Sequence, residues 1–200
     1  LSAKGGARCG SAWATLLVSG PNLGNFSTAW RIQGQCGTSE RVCVSVMGLE
    51  DLLSPQGVIH NLRVNCKREA LQALADKASS LVDRPAADIM TTLLEREQLG
   101  STGVGDGVAL PHGKIEGLSK IIGVLARLET PVSFDALDDQ PVDLVFMLLA
   151  PANATAAHLK ALAKVSRLLR DDHAREALRG ADSAEALFAI ATADQKHHAA

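Results

Sequence analysis

Val142-Asp-Leu-Val-Phe-Met-Leu-Leu-Ala150 decides the fold class of this chain. Beyond Asp143 it is apolar throughout, yet far short of the roughly 20 residues a helix needs to span a bilayer. A strand apolar at consecutive positions has no face to give to water, so it belongs in a sheet covered on both sides. Working outward, Ile121 to Leu128 reads as a second buried strand. Val58-Ile-His-Asn-Leu-Arg-Val64 alternates as a strand does, and Val108-Ala-Leu110 is a short one. Thr130 to Gln140 is a connection, with turn chemistry at Asp138-Asp139.

Helical spacing fills the intervals. Asn65 is expected to cap a helix from Cys66 to Leu81, with Leu71, Leu74, Ala75 and Ala78 on one face. Asp83 is expected to cap a second, starting at Arg84-Pro85 and running to about Glu97, with Gly100 closing it. Leu49 to Leu53 is a turn or short helix closed by Ser54-Pro55. Thr155 opens a long helix, and Asp171 to Arg179 and Ser183 to Thr192 are two more, ahead of a frayed tail from Ala193. The order predicts an α/β fold of α+β-like character: a mixed sheet of about five strands flanked by helices on both faces.

Residues 1–46 have no sustained period and a different composition: Trp13, Trp30, Cys9, Cys36 and Cys43, with Glu40 the one acidic residue. They read as a poorly structured extension, or as upstream sequence ahead of a start at Met47, with the domain spanning 47–200. Trp13 to Ser19 resembles a short signal core but lacks a convincing cleavage site. The four cysteines, Cys66 included, show no CxxC spacing, so reduced thiols in a cytoplasm are expected rather than a zinc site or a disulfide scaffold. A formal charge of -2 and 3% aromatic content give no bulk attraction to nucleic acid and no base-stacking platform.

His112 stands out for chemistry. It follows the loop Gly100-Ser-Thr-Gly-Val-Gly-Asp-Gly107 and sits between Pro111, which restricts the chain, and Gly113, which admits close approach. An imidazole titrates near neutrality and is a competent nucleophile. His158, near the start of the helix after Val142–Ala150, is placed for an anion. Arg96, just before the glycine loop, offers a guanidinium suited to phosphate oxygens. Taken singly, each also fits a plain role: a turn histidine, an exposed helix histidine, an arginine paired with Glu95 or Glu97. Gly103-Val-Gly-Asp-Gly107 lacks the preceding strand and following helix of a dinucleotide fingerprint, and no P-loop, HExxH or G-x-S-x-G occurs.

Three ordered blocks change the balance. Leu94 through Pro111-His-Gly-Lys114, Leu128-Glu-Thr-Pro-Val-Ser-Phe-Asp through Phe146, and Leu149-Ala-Pro-Ala to His158-Leu resemble the enzyme IIA proteins of the mannitol/fructose class, closest to the nitrogen-related branch. The resemblance covers roughly residues 49–193. It implies a phosphotransferase whose His112 accepts phosphate, at Nε2, from an HPr-like phosphocarrier charged by a phosphoenolpyruvate-dependent enzyme I. Arg96 and His158 then support the phosphoryl group, and Ser101, Thr102, Gly103, Gly105 and Gly107 are expected to offer loop donors. No metal and no cofactor is required. Regulatory protein targets, such as potassium-transport or sensor-kinase proteins, are implied for that branch. The alternative is a component of fructose or mannitol uptake that passes phosphate to a membrane permease.

Overall fold

Along residues 48–136 and 138–193, which the computed structural model describes, six strands and five helices follow in order. They are β1 (Leu53–Leu62), α1 (Lys67–Ser79), α2 (Ala86–Gln98), β2 (Gly103–Gly105), β3 (Val108–Ala109), β4 (His112–Ile115), β5 (Ile122–Val132), β6 (Val142–Pro151), α3 (Thr155–Arg170), α4 (Asp172–Gly180) and α5 (Ala184–Thr192). The expectations for residues 1–46, for a start at Met47 and for the tail beyond Ala193 fall outside the described residues.

The sheet is mixed, as expected, in the order β1-β5-β6-β3-β2, with β4 also pairing β6. β5 is antiparallel to β6, while β1 is parallel to β5 and both β3 and β4 are parallel to β6. Alternation along β6 explains its unbroken apolar run. Val145, Met147 and Leu149 face a core shared with α1 and α2, built on Leu71, Leu74, Ile89 and Leu93. Leu144, Phe146, Leu148 and Ala150 face the opposite core, with Val165, Leu169, Leu178 and Leu187 from α3, α4 and α5. Successive side chains of a strand point to opposite faces, so a doubly covered strand must be apolar at both parities.

Several local expectations are corrected. Ser54-Pro55 does not close a turn; it lies inside β1, where an edge position tolerates the missing proline N–H. Asn65 is not the cap of α1: Cys66 holds that position, and the Glu69 carboxylate reaches back to accept from the Asn65 backbone N–H at 2.8 Å. Asp83 does not cap α2, whose cap position is Pro85. The glycine-rich segment is not a loop. Its Asp106-Gly107 pair takes φ values of 55° and 77° and joins β2 to β3 as an antiparallel hairpin, the left-handed pair a tight two-residue turn demands. α4 and α5 are capped by side chains: the Asp171 carboxylate accepts from the His173 and Ala174 N–H groups, and the Ser183 hydroxyl oxygen accepts from Ala186 N–H.

Gly123 in β5 has a packing reason. A Cβ there would lie 2.8 Å from Phe146 Cε1 and 3.3 Å from the Leu52 carbonyl oxygen. Phe146 is fully buried and cannot withdraw. Gly123→Ala is expected to destabilise the fold by about 1–3 kcal/mol through overpacking, read as a lower urea midpoint at unchanged slope.

Candidate functional site

β3 and β4 are two pieces of one extended segment laid along β6, broken at Leu110-Pro111. Val108 and Ala109 pair with Leu144 and Val145; His112 resumes opposite Leu148. Pro111 lacks an N–H, but its carbonyl accepts from Leu148 N–H at 2.9 Å, which carries the ladder across the break. His112 therefore opens a strand and is not a turn residue, and among the described residues that strand pairs only β6, so helices from both faces can reach it.

They do. From α2, Arg96 Nε donates to His112 Nε2 at 3.1 Å, while Arg96 Nη1 donates to the Gly100 carbonyl at 3.0 Å. From α3, the His158 ring lies 5.8 Å from that of His112, centre to centre, tilted by 57°. His158 is 5% exposed, and its buried Nε2 makes no hydrogen bond. The close fit of α2 depends on Gly113, where a Cβ would sit 2.6 Å from Thr92 Cγ2, one helical turn before Arg96. Arg96 is thus paired with His112, not with Glu95 or Glu97.

Both nitrogens of His112 are specified. Nδ1 lies 2.9 Å from the Leu110 carbonyl, an acceptor only, and Nε2 accepts a hydrogen bond from a guanidinium, a donor only. The ring is consequently the Nδ1–H tautomer, with its lone pair on Nε2. Burial pushes the His112 pKa down, the Leu110 carbonyl opposes this, and the Arg96 charge adds to it. Burial also lowers the His158 pKa, helped by the charges of His112 and Lys114. Two neutral imidazoles facing a cation suit the receipt of an anion.

Acid stability follows. Both folded-state values lie below the ordinary imidazole value of 6.5, so below that pH the unfolded chain binds protons that the folded chain resists. Stability is full above pH 6.5 or so and falls as pH drops through the folded values. Glu97 and Asp138, both held below the usual carboxylate range, add their losses only at still lower pH. The urea midpoint is expected to fall between about pH 7.5 and 5.5, and His158→Asn to shrink that fall.

The glycine segment departs from expectation. The Thr102 N–H and hydroxyl both donate to the Glu97 carboxylate, at 2.9 and 2.6 Å. The Ser101 hydroxyl donates to the Phe134 carbonyl, and the Gly103 N–H donates to Ser101 Oγ. Gly105 pairs with Val108 in the hairpin. The Gly107 carbonyl accepts from the Asp143 and Leu144 N–H groups, several strand residues before the Leu148 level of His112. At about 3.3 Å per residue that is more than 10 Å away. Gly105 and Gly107 serve the hairpin, and the donors of Thr102 and Gly103 already have partners. The structure brings together Arg96, His112 and His158, and sets Gly107 apart from them.

Residues 51–193 match the family of the phosphoenolpyruvate-dependent sugar phosphotransferase system, EIIA 2, and the chain belongs to it. Within that family it is similar to a nitrogen regulatory protein of Bradyrhizobium diazoefficiens, 49% identical over 72% of this chain and 94% of that protein. The Escherichia coli nitrogen regulatory protein is 44% identical over 65% of this chain and 82% of its own length. The crystal structure of nitrogen regulatory protein IIA-Ntr from Neisseria meningitidis superposes with a TM-score of 0.69 at 36% identity, covering 72% of this chain and 99% of that one. Among the described residues, no helix is long and apolar enough to cross a membrane.

Sequence reasoning missed the Leu110 carbonyl and the Glu97–Thr102 pair. The first is a backbone atom with no sequence signal. The second had one: Glu97 and Thr102 flank the end of α2, where an acidic side chain can collect N–H groups beyond the helix.

Proposed function

We propose that this chain is a phosphoryl carrier of regulatory, nitrogen-related type. His112 receives a phosphoryl group from an HPr-like phosphocarrier in the cytoplasm, and its phosphorylation state selects among regulatory protein targets, potassium-transport or sensor-kinase proteins being candidates. One observation carries the reading: a neutral Nδ1–H imidazole whose Nε2 lone pair faces Arg96, beside a buried histidine nitrogen without a partner.

The chemistry follows from these contacts. Nε2 attacks phosphorus in line; the N–P bond to the carrier breaks as the Nε2–P bond forms, and the proton stays on Nδ1, donated to the Leu110 carbonyl. Arg96 Nε occupies the attacking lone pair at rest, so the guanidinium must move from nitrogen to a phosphoryl oxygen as the group arrives. Its planar set of five N–H donors permits that exchange. His158 Nε2 gains the partner it lacks by donating to another oxygen. A loose phosphoryl transition state asks for this kind of positioning and charge stabilisation. Phosphorylation then adds roughly -1.5 to -2 charge at the sheet edge, which favours one partner surface and repels another. The preference for a regulatory role over sugar uptake rests on the similarity to proteins named nitrogen regulatory.

Incubation with phosphoenolpyruvate, enzyme I and the carrier should add one phosphoryl mass to the intact protein, labile to acid. A wild-type chain left unmodified by an active cognate carrier overturns the proposal.

A further inference from the structure

We propose that Glu97 is a positioning residue that holds His112 in its Nδ1–H tautomer, acting through Thr102 and Leu110. Resting on the phosphocarrier reading, it adds a residue to that site.

The route is a chain of short contacts. The Glu97 side chain is 9% exposed and pairs with Lys67 Nζ at 2.5 Å. Lys67 also donates to the Phe134 carbonyl at 3.0 Å, which ties the N-terminus of α1 to this corner. The Glu97 carboxylate accepts both Thr102 donors, and Thr102 is buried. The Thr102 carbonyl accepts from Leu110 N–H at 2.9 Å, and the Leu110 carbonyl receives His112 Nδ1–H at 2.9 Å. Between Leu110 and Pro111 the peptide has no N–H to anchor it. The orientation of that carbonyl is therefore set by what grips the segment on either side: Leu148 of β6 on the Pro111 carbonyl, and Thr102 on the Leu110 N–H.

Thr102 itself needs an anchor. It follows Gly100, whose φ of 143° turns the chain out of α2, and it precedes β2. Glu97 supplies two bonds to it. Burial raises the Glu97 pKa, but the donors Lys67 and Thr102 outweigh this and keep the carboxylate ionised. Arg96 and Glu97 are consecutive in the last turn of α2, and each addresses one nitrogen of the same ring: Arg96 bonds Nε2 directly, Glu97 fixes Nδ1 through two residues. Since the tautomer of a histidine is set by the bond its other nitrogen makes, loosening Leu110 should let the proton reach Nε2 and block the nucleophile.

The test combines ring nitrogen-15 spectra of His112 with phosphorylation kinetics on wild type, Glu97→Gln, Thr102→Val and Thr102→Ser. In Glu97→Gln the Nε2–H tautomer should become detectable, and the saturated rate should fall about tenfold at an unchanged half-saturating carrier concentration. Thr102→Val should move both readouts the same way by less, and Thr102→Ser, which keeps both donors, should match wild type. Glu97→Gln with wild-type tautomer and rate overturns the proposal, as does a slower rate with the tautomer unchanged. Should Glu97→Gln fail to fold, a wild-type tautomer in Thr102→Val overturns it instead. The spectra need no phosphate: a tautomer shift beside a wild type that is never phosphorylated would uphold the Glu97 linkage and sink the phosphocarrier reading.

Discussion

After incubation with phosphoenolpyruvate, enzyme I and the carrier, the His112→Ala chain is expected to keep its unmodified intact mass while the wild type gains a phosphoryl group. The loss should be complete, because among the described residues the other histidines lack this setting. His158, the nearest, is buried at 5% exposure. Its Nε2 is buried, so it cannot itself attack a carrier's phosphohistidine. His60 Nε2 is engaged with the Ala181 carbonyl at 3.2 Å, far along the opposite edge strand. Nor should the substitution unfold the domain. The main-chain pairing of β4 with β6 is independent of the side chain, and the lost ring is only part-buried. An unchanged circular-dichroism melt within a few degrees checks this. Phosphate found on His112→Ala would remove the residue from its assigned role.

Arg96→Ala should slow phosphorylation by about 10³-fold, the usual scale for removing a guanidinium from a phosphoryl transition state. Two effects oppose each other and one dominates. Without Arg96, the Nε2 lone pair is no longer occupied at rest, which favours attack. The charge that lowers the His112 pKa is also gone, so the ring should titrate closer to its ordinary value. One hydrogen bond to a charged group is worth about 1.5–3 kcal/mol, whereas the developing charge on three phosphoryl oxygens loses its main counter-charge, so the net is strongly negative. Arg96→Lys should recover little, since an ammonium lacks the planar fork that bridges nitrogen and oxygen. Rapid-quench transfer rates decide this, and an imidazole titration by NMR should show the His112 pKa rising in Arg96→Ala. A rate within threefold or so of wild type would demote Arg96 to a structural partner of Gly100.

Much of the fold was legible because the relevant physics is local. The double parity of β6 announces a covered central strand, and the spacing of Leu71, Leu74, Ala75 and Ala78 announces the buried stripe of α1. Asp171 and Ser183 act as caps because a short polar side chain can reach N–H groups two or three residues ahead. The hairpin was also written in the sequence. Asp106-Gly107 between short apolar pieces is a strong tight-turn signal, masked by Gly100, Gly103 and Gly105, which also suit an anion loop. Asn65 and Asp83 are good cap residues, but the helices begin one and two residues later than they would set, with Cys66 and Pro85 at the cap positions.

For the site, the sequence by itself determined the chemistry available: an imidazole at 112, a guanidinium at 96, a second imidazole at 158, all on segments bordering one apolar strand. What only the tertiary structure decided is their use. Parallel pairing of β4 with β6 puts His112 on a sheet edge that α2 and α3 reach from opposite faces. The absent side chain at Gly113 lets α2 close against Thr92 and carry Arg96 onto Nε2. The Leu110 carbonyl then selects the tautomer. None of this has a sequence period, because the contacts join residues far apart in the chain and depend on distances of about 3 Å that hydrogen bonds enforce only once the sheet has formed.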